Sequence, residues 1–317
     1  MADIVFSGVN FSGGFAITAP PPSYKAIFGY GSTVTNLYVS ITNLVSNTGV
    51  VASDTTGVGT ARVNLAATGY GTDKAIFGYG RDNTNAYQSI TNLVSNTGVV
   101  ATDTTGVGTA RSYIAAAGYG SSGQAIFGYG TTSTTVYSIT NLVSNTGVVS
   151  TDTTGVGTAR QALAAAGYGS DKAIFGYGAD NGFTRVSMTN LVSNTGVVAT
   201  DTTGVGTARS QLGAATYGTD KAIFGYGVGY PVTNVTNLVS NTGVVATDTT
   251  GVGTVRANPA AAGYGTDTAI FGYGSVNNGS ATVTAITNLV SNTGVVATDT
   301  TGVGTARQEL AASSYSR

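Results

Sequence analysis

Short apolar runs separated by turn residues fill most of the chain. Residues 163–209 show the pattern: an Ala-rich run at 163–168, a run of strand formers at 172–177, a third run at 185–192, and a last run from Val197 that glycines interrupt. β-Branched and aromatic residues favour strands, whereas Gly and Asn tolerate the backbone angles of tight turns. No stretch of useful length has the 3.6-residue period of a helix. We therefore predict four short strands in this segment and no helix.

This unit recurs six times along the 317 residues. The string Ala-Ile-Phe-Gly-Tyr-Gly begins at residues 26, 75, 125, 173, 222 and 269, so the period is 47–50 residues. That is the length of a four-stranded blade in a β-propeller. We predict an all-β fold in which residues 25–317 form a six-bladed β-propeller of four-stranded blades. Residues 1–24 precede the first repeat and end in a proline-rich, stiff spacer, so we predict that they are an N-terminal arm or anchor.

The two ends of the repeat array predict how the ring closes. Residues 305–312 repeat residues 158–165 at every position except Glu309, and they correspond to a first strand that no second strand follows. Near the other end, the array begins at Lys25 with a second strand. The C-terminal strand is therefore expected to complete the blade that the N-terminal strand opens, which removes free sheet edges. The first strands are almost wholly Ala and Gly, as crowding around a central channel requires.

The segment from Thr158 to Arg160, together with Lys172 to Gly178, resembles the kelch repeat. Kelch blades have an arginine-containing pair, an apolar strand and a Gly pair that closes the second strand, with about 50 residues per blade. Here Tyr177 separates the two glycines, and the kelch Trp late in the blade is missing. The resemblance covers the chain from Lys25 onward and implies a kelch-like propeller. It implies neither a partner nor an activity, because propellers carry many functions.

The six copies differ from one another mainly in two places. One is the loop between the second and third strands, and the other is the residue pair that follows the recurring Arg. Up-and-down strands bring both to one face. Exposed aromatic rings are enriched at recognition surfaces, so we predict a binding face; unconstrained drift of exposed loops is the alternative. The predicted binding residues are Tyr38, Arg81, Tyr87, Tyr113, Tyr137, Phe183, Arg185, Tyr230, Asn277 and Asn278.

One Arg and one Asp recur in every copy. We predict that they form a structural ring in which each Arg donates hydrogen bonds to backbone carbonyls or to an Asp. An Arg ring that binds an anion at the channel mouth is the alternative, since Arg suits bidentate contacts. The Asp-Thr-Thr-Gly string favours a polar turn over a calcium site, which needs 6–8 oxygens. The residues are Arg62, Arg111, Arg160, Arg209, Arg256, Arg307, Asp54, Asp103, Asp152, Asp201, Asp248 and Asp299.

Composition argues against several function classes. Charged residues are 9% and the net charge is −1, which is too little charge for a nucleic-acid surface. The chain has neither Cys nor His, and Glu309 is its single glutamate. An acid–base pair of the kind that catalysis requires is therefore not evident. We predict no enzyme activity, no catalytic residue, no cofactor and no metal. No apolar run approaches the roughly 18 residues of a membrane span, so membrane insertion is not expected.

These features favour a non-enzymatic binding or structural protein. The low charge and the Thr-, Gly-, Asn- and Ser-rich β composition are typical of adhesive surfaces. We predict a surface, tail or fibre component of a phage-like particle, with protein partners in that assembly and a glycan or protein receptor as a further candidate. The expected location is the virion or an extracellular surface without a secretory signal, or else the cytoplasm. A multivalent lectin with one site per blade gap and an intracellular kelch-type module remain the alternatives.

Overall fold

The computed structural model describes residues 24–277 and 282–315, and within those ranges it contains only β-strands, turns and irregular segments, with no α-helix. Accordingly, no helix in this part of the chain could cross a bilayer. The strands are β1 Lys25–Gly29, β2 Ser32–Thr33, β3 Thr42–Val45, β4 Arg62–Val63, β5 Ala66–Tyr70, β6 Lys74–Gly78, β7 Arg81–Asp82, β8 Thr91–Val94, β9 Ala115–Tyr119, β10 Gln124–Gly128, β11 Thr140–Val143, β12 Ala164–Tyr168, β13 Lys172–Gly176, β14 Thr189–Val192, β15 Gly213–Tyr217, β16 Lys221–Gly225, β17 Thr236–Val239, β18 Ala260–Tyr264, β19 Thr268–Gly272, β20 Thr287–Val290, β21 Arg307–Gln308 and β22 Ala311–Tyr315.

Six antiparallel sheets of three strands make up the body of the structure. We number them as repeats 1 to 6, in the order β22-β1-β3, β5-β6-β8, β9-β10-β11, β12-β13-β14, β15-β16-β17 and β18-β19-β20. The middle strand of each is the apolar Ala-Ile-Phe-Gly segment, and its burial on both faces explains why it lacks polar alternation. Two shorter sheets, β2-β21 and β4-β7, join neighbouring repeats. The prediction of an all-β repeat structure is confirmed.

The fourth strand that the sequence predicted in each repeat does not form as a regular strand. In repeat 4, the backbone of this segment pairs with β14 only at the isolated bridges Thr189↔Thr202 and Val192↔Val198. Its backbone departs from an extended path at Gly206, which has a φ of 75°. The Val205 carbonyl accepts a hydrogen bond from the Tyr177 hydroxyl at 3.1 Å, so a side chain takes the place of a strand partner.

The first strands of the six sheets contact one another in the cyclic order β5, β9, β12, β15, β18, β22 and back to β5. β22 supplies the first strand of repeat 1 and pairs antiparallel with β1, with Ala312 opposite Phe28. The two ends of the described chain therefore share one sheet, as the sequence predicted. Where the first strands converge, Ala and Gly residues are among those that line a cavity of about 310 Å³, and all six first strands contribute to it.

The hydrophobic core lies between neighbouring sheets, and each of its clusters combines two consecutive repeats. Between repeats 3 and 4, Ile126 and Tyr129 pack with Phe175 and Val192. The Tyr129 and Phe175 rings are edge to face at 5.1 Å. Gly128 is required there, since a Cβ would lie 2.8 Å from the Phe175 ring. Burying a side chain such as Phe175 contributes roughly 1.5–3 kcal/mol, so each repeat depends on its neighbour for stability.

Candidate recognition face and the contacts that hold it

The recurring arginines lie between neighbouring repeats and are fully buried. Arg160, which follows repeat 3, extends into repeat 4 and donates hydrogen bonds to the carbonyls of Met188 at 2.8 Å and Tyr177 at 3.2 Å. Its guanidinium also donates to the Asn190 side-chain oxygen and lies 4.8 Å from the centre of the Tyr129 ring. Each of the other five arginines lies over the equivalent Tyr ring at 4.3–5.0 Å.

The recurring aspartates complete the contact between repeats. Asp201 of repeat 4 accepts hydrogen bonds from the Thr158 amide at 3.0 Å and the Thr158 hydroxyl at 2.7 Å. Asn190 Nδ2 donates a third at 2.9 Å. Burial alone would raise the pKa of Asp201, but the hydrogen bonds from Thr158 and Asn190 outweigh it and hold the pKa below the ordinary 3.8. We call Thr158, Arg160, Asn190 and Asp201, together with the five equivalent sets, the inter-repeat clamp.

The inter-repeat clamp also joins the two ends of the described chain. Asp54 of repeat 1 accepts hydrogen bonds from Thr305, and Arg307 donates to the Tyr30 carbonyl at 2.8 Å.

An anion-binding Arg ring would need guanidinium groups open to solvent, whereas all six arginines are enclosed. Among the described residues, no group of three or more side chains could hold a metal ion.

The tyrosine of each Gly-Tyr-Gly string is a structural residue that sequence reasoning missed. Tyr177 is fully buried, and its φ of 64° is in the left-handed region that bulky residues avoid. Burial raises the pKa of its hydroxyl to about 12. Such a backbone costs about 1–3 kcal/mol and persists only where surrounding contacts fix it. The signal was present in the sequence, because this Tyr recurs in all six copies.

The two sets of residues that vary between copies meet at one end of the sheets. In repeat 4, Gln161 of a variable pair bridges Ala179 of the loop between the second and third strands. Ser210 bridges Val228 in the same way in repeat 5. We call this end the variable face; it comprises the six loops and the six pairs. The turns at the opposite end, which are the same in every copy, form the repeated face.

Large apolar side chains are exposed on both faces, but they differ in kind. The repeated face exposes one Val per repeat, at Val50, Val99, Val148, Val197, Val244 and Val295. On the variable face, Tyr230 is 90% exposed and Phe183 is 75% exposed. The Arg185 guanidinium lies 4.0 Å from the centre of the Tyr230 ring. Val34 and Leu37, which the sequence analysis did not single out, are also exposed there. We call Phe183, Arg185 and Tyr230 the aromatic rim.

The other predicted binding residues are distributed less evenly than the sequence suggested. Tyr38, Tyr87, Tyr113 and Tyr137 are half-buried, and so is Arg81, which donates to the Tyr38 hydroxyl at 3.3 Å. Asn277 is exposed, whereas Asn278 lies outside the described residues, as does the predicted arm apart from Tyr24. The aromatic side chains therefore do not form one uniform exposed surface. Among the described residues, the exposed aromatic side chains of this face are Phe183 of repeat 4 and Tyr230 of repeat 5.

The second residues of the variable pairs converge around a common axis. All six have φ between 52° and 60°, although none of them is Gly. Their backbones form a chain of hydrogen bonds from repeat to repeat: Asn64 N–H donates to the Glu309 carbonyl at 3.0 Å, and Tyr113 N–H donates to the Asn64 carbonyl at 2.8 Å. This chain brings together the side chains of Asn64, Tyr113, Ala162, Gln211, Asn258 and Glu309.

The single glutamate of the chain lies at this axis. Burial raises the pKa of the Glu309 carboxyl above its ordinary value, although the charge of Arg81 acts against that. Burial, and secondarily the charge of Glu309, raises the pKa of the Tyr113 hydroxyl to about 12. A carboxyl group and a guanidinium are therefore close enough to influence each other where six repeats meet. Only a three-dimensional structure could bring them together, because residues 81 and 309 are at opposite ends of the array.

Comparison with known proteins identifies no relative of this chain. No protein-family model and no curated protein matches the sequence of this chain.

Proposed function

We propose that the chain is a kelch-like, six-bladed β-propeller that works by binding, and that its aromatic rim recognises a protein partner. The cyclic contacts of the first strands, and the pairing of β22 with β1, support the closed ring. Kelch-like character rests on the repeat pattern. The phage-like particle stays a prediction from composition.

One residue carries the proposal for the rim. Phe183 has a φ of 61° and is 75% exposed. The equivalent loop positions in repeats 1 and 2 are Asn36 and Asn85, with φ of 56° and 64°. Asn tolerates this conformation, whereas for a bulky residue it is an outlier. Repeat 4 therefore has a strained, water-exposed ring where repeats 1 and 2 have a favourable residue. Bulky residues normally avoid a positive φ. A residue that adopts this backbone angle without stabilising the fold indicates a functional role.

The neighbouring side chains are consistent with a protein-binding hot spot. Tyr230 of the next repeat is almost fully exposed, and Arg185 packs over it. Tyr and Arg are among the residues that dominate binding energies at interfaces. Six equal glycan sites between repeats find less support, since the loops that would form them differ from copy to copy.

The substitution that tests the role of Phe183 is Phe183→Asn, because Asn occupies the equivalent position in repeats 1 and 2. A photo-crosslinking amino acid at residue 183 or 230 should capture one protein from the native source, whereas the same probe at residue 197, on the repeated face, should not. Binding of the captured protein should fall at least about 30-fold with Phe183→Asn plus Tyr230→Ala, since the loss of about 2 kcal/mol at a single hot spot already implies that factor. Phe183→Asn alone should leave the melting temperature equal or higher. Capture through residue 197 alone, or unchanged binding by the double variant, would overturn the proposal.

A further inference from the structure

A second site on the variable face is independent of the aromatic rim. It is a cavity of about 510 Å³ between the loops of repeats 1 and 2 and the variable pairs near the axis. Neither Phe183 nor Tyr230 lines it. The volume is in the range of small-molecule sites, which is about 300–1,000 Å³. No other part of the described chain repeats this set of lining residues, because the loops and pairs that form it differ between copies.

Carboxamides dominate the wall of this cavity. Six of them come from four repeats: Asn36, Asn83, Asn85, Gln211, Asn258 and Gln308. A carboxamide offers two donors and an acceptor in one group, and a hydroxyl both donates and accepts. A wall of this kind can therefore satisfy several hydroxyl groups in different orientations. It offers no cluster of like charge that would select an anion or a cation.

The two acidic and basic side chains that face the cavity, one carboxyl group and one guanidinium, have charges of opposite sign. Arg81 and Glu309 both line it, and each influences the other electrostatically. Their charges offset, so the wall carries no net charge. A charged ligand would gain little Coulomb energy in exchange for its lost hydration. A neutral ligand would lose less on entry and could still accept from the guanidinium or donate to the carboxyl group.

Three further features fit a ligand that has both polar and apolar surfaces. The Tyr38 side chain lines the cavity beside the amides. Gln211, Asn258 and Glu309 also border an adjoining cavity of about 90 Å³, whose floor is a ring of apolar side chains: Leu65, Ile114, Leu163, Leu212, Pro259 and Leu310. Buried Gln308 has a side-chain oxygen with no hydrogen-bond partner among the described residues. Buried polar atoms normally have a hydrogen-bond partner, so a hydroxyl group of a ligand could donate to this oxygen.

We propose that this axial cavity is a single binding site for a neutral, hydroxyl-rich ligand of monosaccharide to disaccharide size. Sugar hydroxyls would pair with the carboxamides, Arg81 and Glu309, and the C–H face of the sugar would lie against Tyr38 or the apolar floor. The site differs from a lectin with one site per blade gap, because it occurs once per chain and lies at the axis.

Its test measures binding of defined sugars to the full chain by calorimetry and ligand-observed NMR. The neutral probes are glucose, galactose, mannose and N-acetylglucosamine, and the charged probes are glucuronic acid and glucosamine. At least one neutral sugar should bind at one site per chain with a Kd of about 1 mM or tighter. The charged sugars should bind at least tenfold more weakly.

Variants locate the site without threatening the fold. Ala162 has a φ of 52° at the position equivalent to Gln211 and Asn258, so Ala is tolerated there. Gln211→Ala with Asn258→Ala should weaken sugar binding more than tenfold. The control, Asn96→Ala with Asn194→Ala, removes two carboxamides from the repeated face and should leave it unchanged. Phe183→Asn with Tyr230→Ala should also leave it unchanged, which separates this proposal from the protein partner.

Four results would overturn the proposal. They are no saturable binding of any neutral probe, equal affinity for charged probes, about six sites per chain, or equal losses in the axial and control variants.

Discussion

At the inter-repeat clamp, all six arginines lie over a Tyr ring and all six aspartates accept from a Thr of the preceding repeat. At the variable face, Arg81 contacts Tyr38 and Arg185 lies over Tyr230, and no other copy has an Arg at these positions. The difference follows from what constrains each residue. A clamp residue contacts two repeats at once, so a change in it disturbs both. A loop residue is constrained mainly within its own loop, where different side chains are tolerated.

The largest effect is expected where the clamp joins the two ends of the described chain. Deleting residues 311–317 removes β22, leaves the edge of β1 unpaired and exposes the core that Tyr315 helps to cover. An open edge invites pairing with another chain. We expect the truncated protein to lose cooperative unfolding or to associate, as measured by circular dichroism melting and light scattering. The matched control removes only residues 316 and 317 and should remain folded; equal behaviour of the two would show that closure is dispensable.

A single buried arginine should have the next largest effect. Arg160→Ala leaves a cavity beside Tyr129 and removes the donor to Asn190 and to the Met188 carbonyl. The loss of a large buried side chain, together with the buried acceptors that it leaves unpaired, costs about 3–5 kcal/mol. Urea unfolding at pH 7 should show a loss of that size.

The variable face provides the control for that experiment. Arg185→Ala removes a half-buried Arg whose described contact is the exposed Tyr230 ring. Exposed cation–π contacts contribute about 0.5–1 kcal/mol, so the loss should be no larger. If Arg160→Ala costs no more than Arg185→Ala, the clamp does not stabilise the ring.

The sequence could predict the features that depend on local residue types, but not those that depend on contacts between repeats. The sequence was enough to predict the second and third strands and the turns at 169–171 and 193–196. It was also enough to predict the pairing of the last strand with the first. Local residue types determine a strand or a turn, and six copies of the same string repeat the same signal. The convergence of the loops and pairs on one face also followed from strand alternation alone.

What the sequence could not predict depends on contacts between repeats. The fourth segment reads as a strand, but the hydrogen bond from Tyr177 to the Val205 carbonyl competes with regular pairing. The axial cavity combines Arg81 with Gln211, Asn258 and Glu309, and no spacing along the chain indicates that they meet. Phe183 was singled out as aromatic, yet its unusual backbone angle, which is the informative feature, is visible only in three dimensions.

The smallest of the expected effects concerns one carboxylate of the clamp, and pH reveals it. Asp201 has a pKa below its ordinary value in the folded chain, chiefly because the hydrogen bonds from Thr158 and Asn190 outweigh its burial. A lowered folded-state pKa stabilises the fold above the unfolded-state value, and that stability is lost as the pH falls through the folded-state pKa. Asp201→Asn should therefore cost about 1–2 kcal/mol at pH 7, a value reduced by partial exposure. The cost should begin to shrink as the pH approaches the ordinary pKa of 3.8 and should disappear only below the lower folded-state pKa.

The matched variant on the variable face is Asp180→Asn. Asp180 accepts hydrogen bonds from the Gly182 and Thr184 amides of its own loop, both at 2.9 Å, and Asn can make the same local contacts. Its substitution should change the free energy of unfolding by no more than about 0.5 kcal/mol at any pH. Urea unfolding of both variants and the parent between pH 7 and pH 3 gives the comparison. If the two curves run parallel to the parent's, the aspartates stabilise the clamp no more than a loop residue stabilises its loop. If only the Asp201→Asn curve converges on the parent's as the pH falls, the difference between clamp and face is electrostatic as well as steric.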